Sequence, residues 1–180
     1  MIDVIVPTLA VIGALAIAFL IYVAMKPSEF RIQRSAEICA PMEAVFPLIN
    51  DLRQFNSWNP FAKADPEVNI IYSGPANGVG AAYDWSGKKS GAGRMRIAQV
   101  VPSSKVRMQL DFNKPFVANN VAEFTLAPRG ALTTVTWAMT GRSPFSHKLM
   151  GTICNMDKMV GGEFAKGLAS LKAMVEKSAA

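Results

Sequence analysis

The sequence has little histidine and little cysteine: 180 residues contain one His, His147, and two Cys, Cys39 and Cys154. Two cysteines exclude a disulfide scaffold. They stand 115 residues apart with no CxxC pair, and they read as buried small apolar residues in a reducing compartment. A zinc site needs several such ligands together, so no metal is expected. A phosphate-binding loop, a nucleotide fingerprint and a Ser-His-Asp order are also missing, and no cofactor is expected. Gly78-Val79-Gly80 is flanked by strand-like segments on both sides and reads as a turn. Neither a basic helix nor an aromatic RNP-like string is found, so nucleic acid is not an expected partner.

Charge is absent from one long stretch. The 22 residues from Val4 to Met25, VIVPTLAVIGALAIAFLIYVAM, carry none, and no Lys or Arg precedes Lys26. This run explains a mean hydropathy of +0.22. A helix of that length, rising about 1.5 Å per residue, matches the roughly 30 Å hydrocarbon core of a bilayer. Pro7 falls in its first turn and Tyr22 near its end, where an amphipathic ring suits the interface. A cleaved signal peptide is the competing reading. The lack of Lys or Arg in Met1-Ile2-Asp3, the length of the apolar run and the lack of a good small-residue site oppose it. The expectation is a single-pass anchor and short linker over residues 1–29, followed by a folded domain over 30–180. Lys26, Arg31 and Arg34 follow the span, which places that domain on the cytoplasmic side of the inner membrane. All 19 basic residues and 12 of the 13 acidic ones lie after residue 25, a net charge of +7. That excess either holds the domain near anionic headgroups or is a solvated surface.

The composition of the remainder, rich in hydrophobic residues and modest in charge, excludes a disordered chain. Phe30, Ile32, Ala36 and Ile38 alternate as a first strand. Pro41 opens a helix with a stripe at Met42, Val45, Phe46 and Ile49, and a short helical piece, DLRQFNSWNP, ends at Pro60. From Val68 to Gly141 the period changes to two. Apolar rows run through Val68, Ile70 and Tyr72; Ala81, Tyr83 and Trp85; Met95 and Ile97; Val106, Met108, Leu110 and Phe112; Phe124 and Leu126; Val135, Trp137 and Met139. Turns fall at Gly74-Pro75, Asn77-Gly78 and Gly87–Gly91. The pattern predicts an antiparallel sheet of six or seven strands with one wet face. Leu149, Ile153, Met156, Val160, Phe164, Leu168, Leu171 and Val175 then mark a long amphipathic helix of about seven turns. Gly161-Gly162 interrupts it, which points to a kink or a close approach. A curved sheet wrapped round one helix is an α+β helix grip, and one helix leaves a cavity in the concavity.

The segments GPANGVGAAYDWSGKKSGAGRMRIAQVVPSSKVRMQLDF, KPFVANNVAEFTLAP, TTVTWAMTG and NMDKMVGGEFAKGLASLKAMVE, in that order, resemble the SRPBCC superfamily. This is the START-like, birch-pollen-allergen-like helix-grip group, here in its polyketide cyclase/dehydrase and lipid-transport branch. The likeness covers about residues 30–177. It implies the fold and says less about chemistry, because members range from lipid carriers to cyclases and chaperone activators. Trp58, in NSWNPF, falls in a segment similar to the family's cavity-mouth loop.

The expected cavity wall is Trp58, Tyr83, Trp85, Met95, Met108, Phe112, Phe124, Trp137 and Met139, with Met156 and Val160 from the helix. Tyr83 is the one acid or base among them. Gln99 and Asn120 are candidate polar handles, while Asp84, Asp111 and Glu123 fall on the outward parity. Asp157 reads as a surface charge and His147 as a structural loop residue. Acid–base catalysis needs an ionisable group in the pocket, so a wall this apolar favours a binding module for a lipid or other hydrophobic small molecule. A cyclase or dehydratase assisted by one polar group is the alternative, and an interaction module like the Hsp90-activator members is a third reading. The methionines fit either plain packing or an adaptable pocket lining.

Overall fold

The computed structural model describes residues 2–144, 148–149, 151–152 and 155–178. In chain order the elements are helix α1 (Ile2–Met25), strand β1 (Glu29–Ile38), four short helices α2 (Met42–Val45), α3 (Pro47–Asn50), α4 (Leu52–Trp58) and α5 (Pro60–Lys63), and six strands. These are β2 (Asn69–Ser73), β3 (Ala82–Gly87), β4 (Gly91–Val101), β5 (Lys105–Lys114), β6 (Ala118–Arg129) and β7 (Leu132–Arg142). Helix α6 (Met156–Ser178) follows. The seven strands form one antiparallel sheet in the order β1-β7-β6-β5-β4-β3-β2.

Alternation sets which side chains face the helices. One row across the sheet reads Arg34, Trp137, Phe124, Val106; the next reads Ile32, Met139, Ala122, Met108, Ile97; a third reads Phe30, Gly141, Asn120, Leu110, Met95, Tyr83, Tyr72. A fourth, Ala118, Phe112, Gly93, Trp85, Ile70, completes the concave face. On α6, Phe164, Leu168, Leu171 and Val175 are buried at spacings of 4, 3 and 4, so the helix presents one stripe to the sheet. It packs on β1 and β7 and against α4 and α5. The fold is therefore the α+β helix grip that the periodicity implies.

Several local expectations change. The Pro41 helix is two short pieces, α2 and α3. Pro60 begins a helix instead of ending one: the Asn59 side chain accepts a hydrogen bond from Phe61 N at 3.2 Å, and Pro60 takes the first position, where its missing N–H costs nothing. The C-terminal stripe is not one continuous helix. Lys148, Leu149, Gly151 and Thr152 are helical, but Asn155 is not. Its side chain accepts from Lys158 N at 3.0 Å and so caps α6, as asparagine does well. Ile153, Cys154 and His147 lie outside the described residues. Gly161-Gly162 leaves α6 unbroken, and the close approach is real, because a Cβ at Gly161 would collide with the Arg34 guanidinium. Cys39 is exposed, not buried; it follows the last strand residue, Ile38, and leaves the inward alternation there.

The backbone of α1 is helical for 24 residues, about 36 Å at 1.5 Å per residue. Its described side chains are Thr8 and those from Val11 to Met25. Among the described residues no helix is long and apolar enough to cross a membrane, so the expected segment is a helix, while the crossing itself is not demonstrated. Val11, Ile12, Leu15, Ile17, Leu20, Ile21, Tyr22 and Met25 are exposed on it, and Val23, near its end, is buried.

Candidate ligand-binding site

The concave face divides into a filled half and a half-open one. The filled half centres on Trp137. Its ring stacks on Phe164 of α6 at 4.2 Å and 9° and lies 4.9 Å from Phe124. Phe55 and Trp58 of α4 meet the same ring edge-on at 6.0 and 5.8 Å, and Phe61 of α5 meets it at 6.2 Å. Gly167 permits this stack, since a Cβ there would clash with the Trp137 ring and with Pro60. The expected hollow is thus closed at its centre, because α4 adds two large aromatics that a sheet-plus-one-helix picture omits. Trp58 is fully buried, and its indole N–H donates to the Leu48 carbonyl at 2.9 Å. It belongs to this core and not to a mouth loop.

The other half lies on β2 to β5. Here Tyr72, Tyr83, Trp85 and Phe112 form a ladder with centroid separations of 5.8, 6.0 and 5.5 Å. Tyr83 is buried, but Ile70, Tyr72, Trp85 and Phe112 are only partly so. Gly93 makes the arrangement possible: a Cβ at that position would run into the Trp85 ring. The Trp85 N–H is anchored to the Ser90 carbonyl at 3.2 Å. That turn is held in place by Asp65, whose carboxylate accepts from Lys89 N, Ser90 N and Ser90 Oγ at 3.0 to 3.1 Å. Those backbone donors, Ser90 first and then Lys89, hold the Asp65 carboxyl below its ordinary range against the opposing effect of burial.

Polar groups collect at the upper rung of the ladder. Asn56 of α4 donates to the Tyr72 hydroxyl at 3.1 Å and accepts from Asn59 at 3.2 Å, while the Arg53 guanidinium lies 4.1 Å over the Tyr72 ring. Burial, and after it the neighbouring Tyr72, pushes the Tyr83 hydroxyl far above its ordinary value, with Asn56 opposing. Tyr83 therefore keeps its proton at neutral pH and is a hydrogen-bond donor, not a base. Asn120 is buried in the same row, as anticipated. Gln99 is exposed, because the register shift between Ile97 and Gln99 places Ala98 and Gln99 outward in succession, the usual effect of a bulge. The Trp137 indole nitrogen is buried without a hydrogen-bond partner among the described residues.

Of the expected wall, the structure assigns Trp58, Met108, Phe124 and Trp137 to the packed core, and Tyr83, Trp85, Met95 and Phe112 to the ladder and its surroundings. Met139 is buried between them. Val160 is half-buried at the edge of α6, and Met156 is exposed on its first turn. Asp84, Asp111 and Glu123 face outward, with Asp84 paired to Arg94 at 2.9 Å. Sequence reading missed Asn56 and Arg53, whose roles depend on where a two-turn helix docks. It also missed Arg34, an inward-parity residue that meets Asp157 at 2.8 Å. Two clefts lie elsewhere. One of about 340 Å³ is bordered by Phe46, Leu48, Asn50, Asp51, Gln54 and Asn77; the other, about 180 Å³, is on the outer face around Arg31, Arg107 and Glu123. Neither includes an expected wall residue, and each lies outside the concave surface. Among the described residues no group of three His, Cys, Asp or Glu could hold a metal ion.

The sequence model of a family described as polyketide cyclase/dehydrase and lipid transport matches residues 29–176. Solved structures share the fold. A Chromobacterium violaceum protein superimposes with a TM-score of 0.59 at 20% identity, over 84% of this chain and 99% of its own. A Thermobifida fusca protein gives 0.60 at 20% identity, over 82% and 93%. The Aha1 dimer of Colwellia psychrerythraea, solved in solution, gives 0.58 at 18% identity, over 82% and 96%. A search of curated proteins gives no significant match.

Proposed function

This chain belongs to the polyketide cyclase/dehydrase and lipid-transport family, and from that premise we propose that it is a membrane-tethered binding module for a lipid or another hydrophobic small molecule. The ligand lies against the concave face between the β3–β5 ladder and α6. One observation carries the reading: Tyr72, Trp85 and Phe112 line the concave surface yet are only partly covered, while the region around Trp137 is closed by ring-to-ring packing. Large aromatics half-withdrawn from water are the usual lining of small-molecule sites. The Tyr83 hydroxyl, in the same ladder, adds a donor for a ligand oxygen. The tether is α1, supported by its charge-free run from Val4 to Met25 and by apolar side chains exposed along it. Lys26, Arg31 and Arg34 support a cytoplasmic domain at the inner membrane.

A cyclase or dehydratase acting on a hydrophobic polyketide-like substrate is the second reading, favoured by one feature. The protonated Tyr83, buried beside Asn56, could polarise a substrate carbonyl. Native mass spectrometry of detergent-extracted protein, paired with titration by a naphthalene or fatty-acid dye, tests the first reading. A co-purifying lipid is expected, together with dye binding that Trp85→Ala and Phe112→Ala each weaken. Retained dye affinity in both variants would overturn the site. Turnover of a polyketide-like substrate that Tyr83→Phe abolishes would move the assignment to the enzyme.

A further inference from the structure

One end of the sheet concentrates exposed apolar side chains and cations. By register, the start of β1 stands beside the end of β7, with Glu29 opposite Arg142. The β5–β6 and β3–β4 turns close at the same end, with Phe112 opposite Ala118 and Gly87 opposite Gly91. The last turn of α1 is fixed there, where Lys148 Nζ donates to the Ala24 carbonyl at 3.2 Å and Ser143 N to the Ser28 carbonyl at 2.8 Å. The tip of the β5–β6 turn holds Phe116 and Val117, 61% and 74% exposed. Helix α6 starts beside Arg34 and ends beside Cys39, so its exposed Met156 and Met159 lie toward this end too.

Lys88, Lys89 and Lys114 sit on the two turns, and Lys26 and Arg142 beside α1. The acids nearby are mostly engaged: Glu67 meets Lys88 at 3.4 Å, Asp157 meets Arg34, Asp65 is taken up by the β3–β4 turn, and Asp111 accepts from Asn119 at 2.6 Å. Glu29 stands opposite Arg142. At the far end of the sheet Val79 and Val101 are also exposed, but the turn of Val79, Asn77–Gly80, has no cation, and Lys105, opposite Val101, and Arg129 are paired with Glu123 and Glu37.

We propose that this end docks on the anionic headgroup layer of the bilayer that holds α1. Phe116 and Val117 enter the interface, and Lys89 and Lys114 meet headgroup phosphates, with Lys88, paired to Glu67, beside them. The inference rests on the tethering reading above. Apolar tips ringed by lysines suit that boundary, where hydrocarbon and negative charge lie side by side. Phe112 precedes Lys114 by two residues on the concave side, so the docked edge is the lip of the aromatic wall. A lipid would then pass between bilayer and wall without crossing water.

The test uses the full chain in lipid nanodiscs, with Cys39 and Cys154 replaced by serine and the fluorophore NBD placed by Val117→Cys at the docking tip or by Ala131→Cys at the far end. Phe116→Cys serves as a second tip site, and each variant is required to match the parent's melting midpoint. In discs containing phosphatidylglycerol the tip label is expected to brighten severalfold and shift to the blue, while the label at 131 stays aqueous. Lys88→Glu combined with Lys89→Glu, or added salt, is expected to reverse the change at the tip. A chain that does not enter discs overturns the tether and the docking edge together. A chain that enters but keeps both tip labels aqueous overturns docking alone. Tip burial that grows with protein concentration in lipid-free detergent assigns the face to a second copy and overturns the proposal.

Discussion

Trp137 and Trp85 occupy inward positions on strands of the same sheet, yet one is enclosed and the other half open. The difference comes from the layer above them. Over Trp137 lie α6 and the short helices, which bring Phe164, Phe55, Trp58 and Phe61 within ring contact. Beside Trp85 stand Tyr83 of its own strand, Phe112 of β5 and the turn that Asp65 pins. The first region stabilises the fold through burial, while the second leaves apolar area that a ligand can cover. An aromatic on the concave face is therefore not yet a binding residue; what covers it decides its role.

The largest effect expected is on the covered half. Phe164→Ala removes a fully enclosed ring stacked on Trp137 and should destabilise the protein by about 3–5 kcal/mol. Phe112→Ala, in the half-open region, should cost well below this and act mainly on dye affinity. Chemical denaturation of both variants checks the pair, and equal losses of stability would erase the distinction between the halves. Lys166→Ala, on the exposed side of α6 where Lys166 meets Glu163 at 2.7 Å, is the control and should fall within about 0.5 kcal/mol.

Next come two glycines of α6. Gly167→Ala drives a methyl group into Trp137 and Pro60, and Gly161→Ala drives one into Arg34. Overpacking of this kind costs about 1–3 kcal/mol, and Gly167→Ala is expected to cost more, because a ring inside a core yields less than a partly exposed guanidinium. Gly162 faces open space, so Gly162→Ala should instead stabilise, by up to about 1 kcal/mol, through helix propensity. Thermal melts of the three variants give the order. Destabilisation by Gly162→Ala would mean that this face of the helix is covered.

The strands and the buried face of α6 were legible in the sequence because alternation and the 4-3-4 spacing are local signals that burial enforces. Tyr83, Trp85, Met95, Met108, Phe112, Phe124, Trp137 and Met139 could thus be placed on the concave side from parity alone. Parity does not tell how much covers each one. Trp58 and Phe55 sit on a helix of seven residues, too short for its docking to be foreseen, and their arrival turned half of an expected cavity into core. Gln99 was misplaced for a related reason: a bulge changes parity without a sequence mark as clear as glycine or proline. Arg34 obeyed parity, but a cation on an inward position has no partner until α6 brings Asp157 across.

The smallest effects expected are in acid, where each half carries one carboxylate with a lowered pKa. On the covered side, the hydrogen bond from Arg34 and then its charge hold the Asp157 carboxyl below the ordinary range, against partial desolvation. On the open side, Asp65 is lowered by backbone N–H donors. In both cases the folded-state pKa lies below the unfolded value. Each contribution is then full above the ordinary carboxylate range and is lost as pH falls through the depressed value. The melting temperature should therefore drop on acidification, and less steeply in Asp157→Asn and in Asp65→Asn. Salt separates the two. Asp157 is exposed and faces a guanidinium, so screening weakens its contribution. Asp65 is buried against neutral donors, whose short hydrogen bonds salt does not reach. In high salt the acid slope should already be reduced in the parent and reduced further by Asp65→Asn, while Asp157→Asn changes it no more. If salt instead erases the Asp65 effect, the β3–β4 turn is held by long-range charge, and the support assigned to Trp85 lies elsewhere.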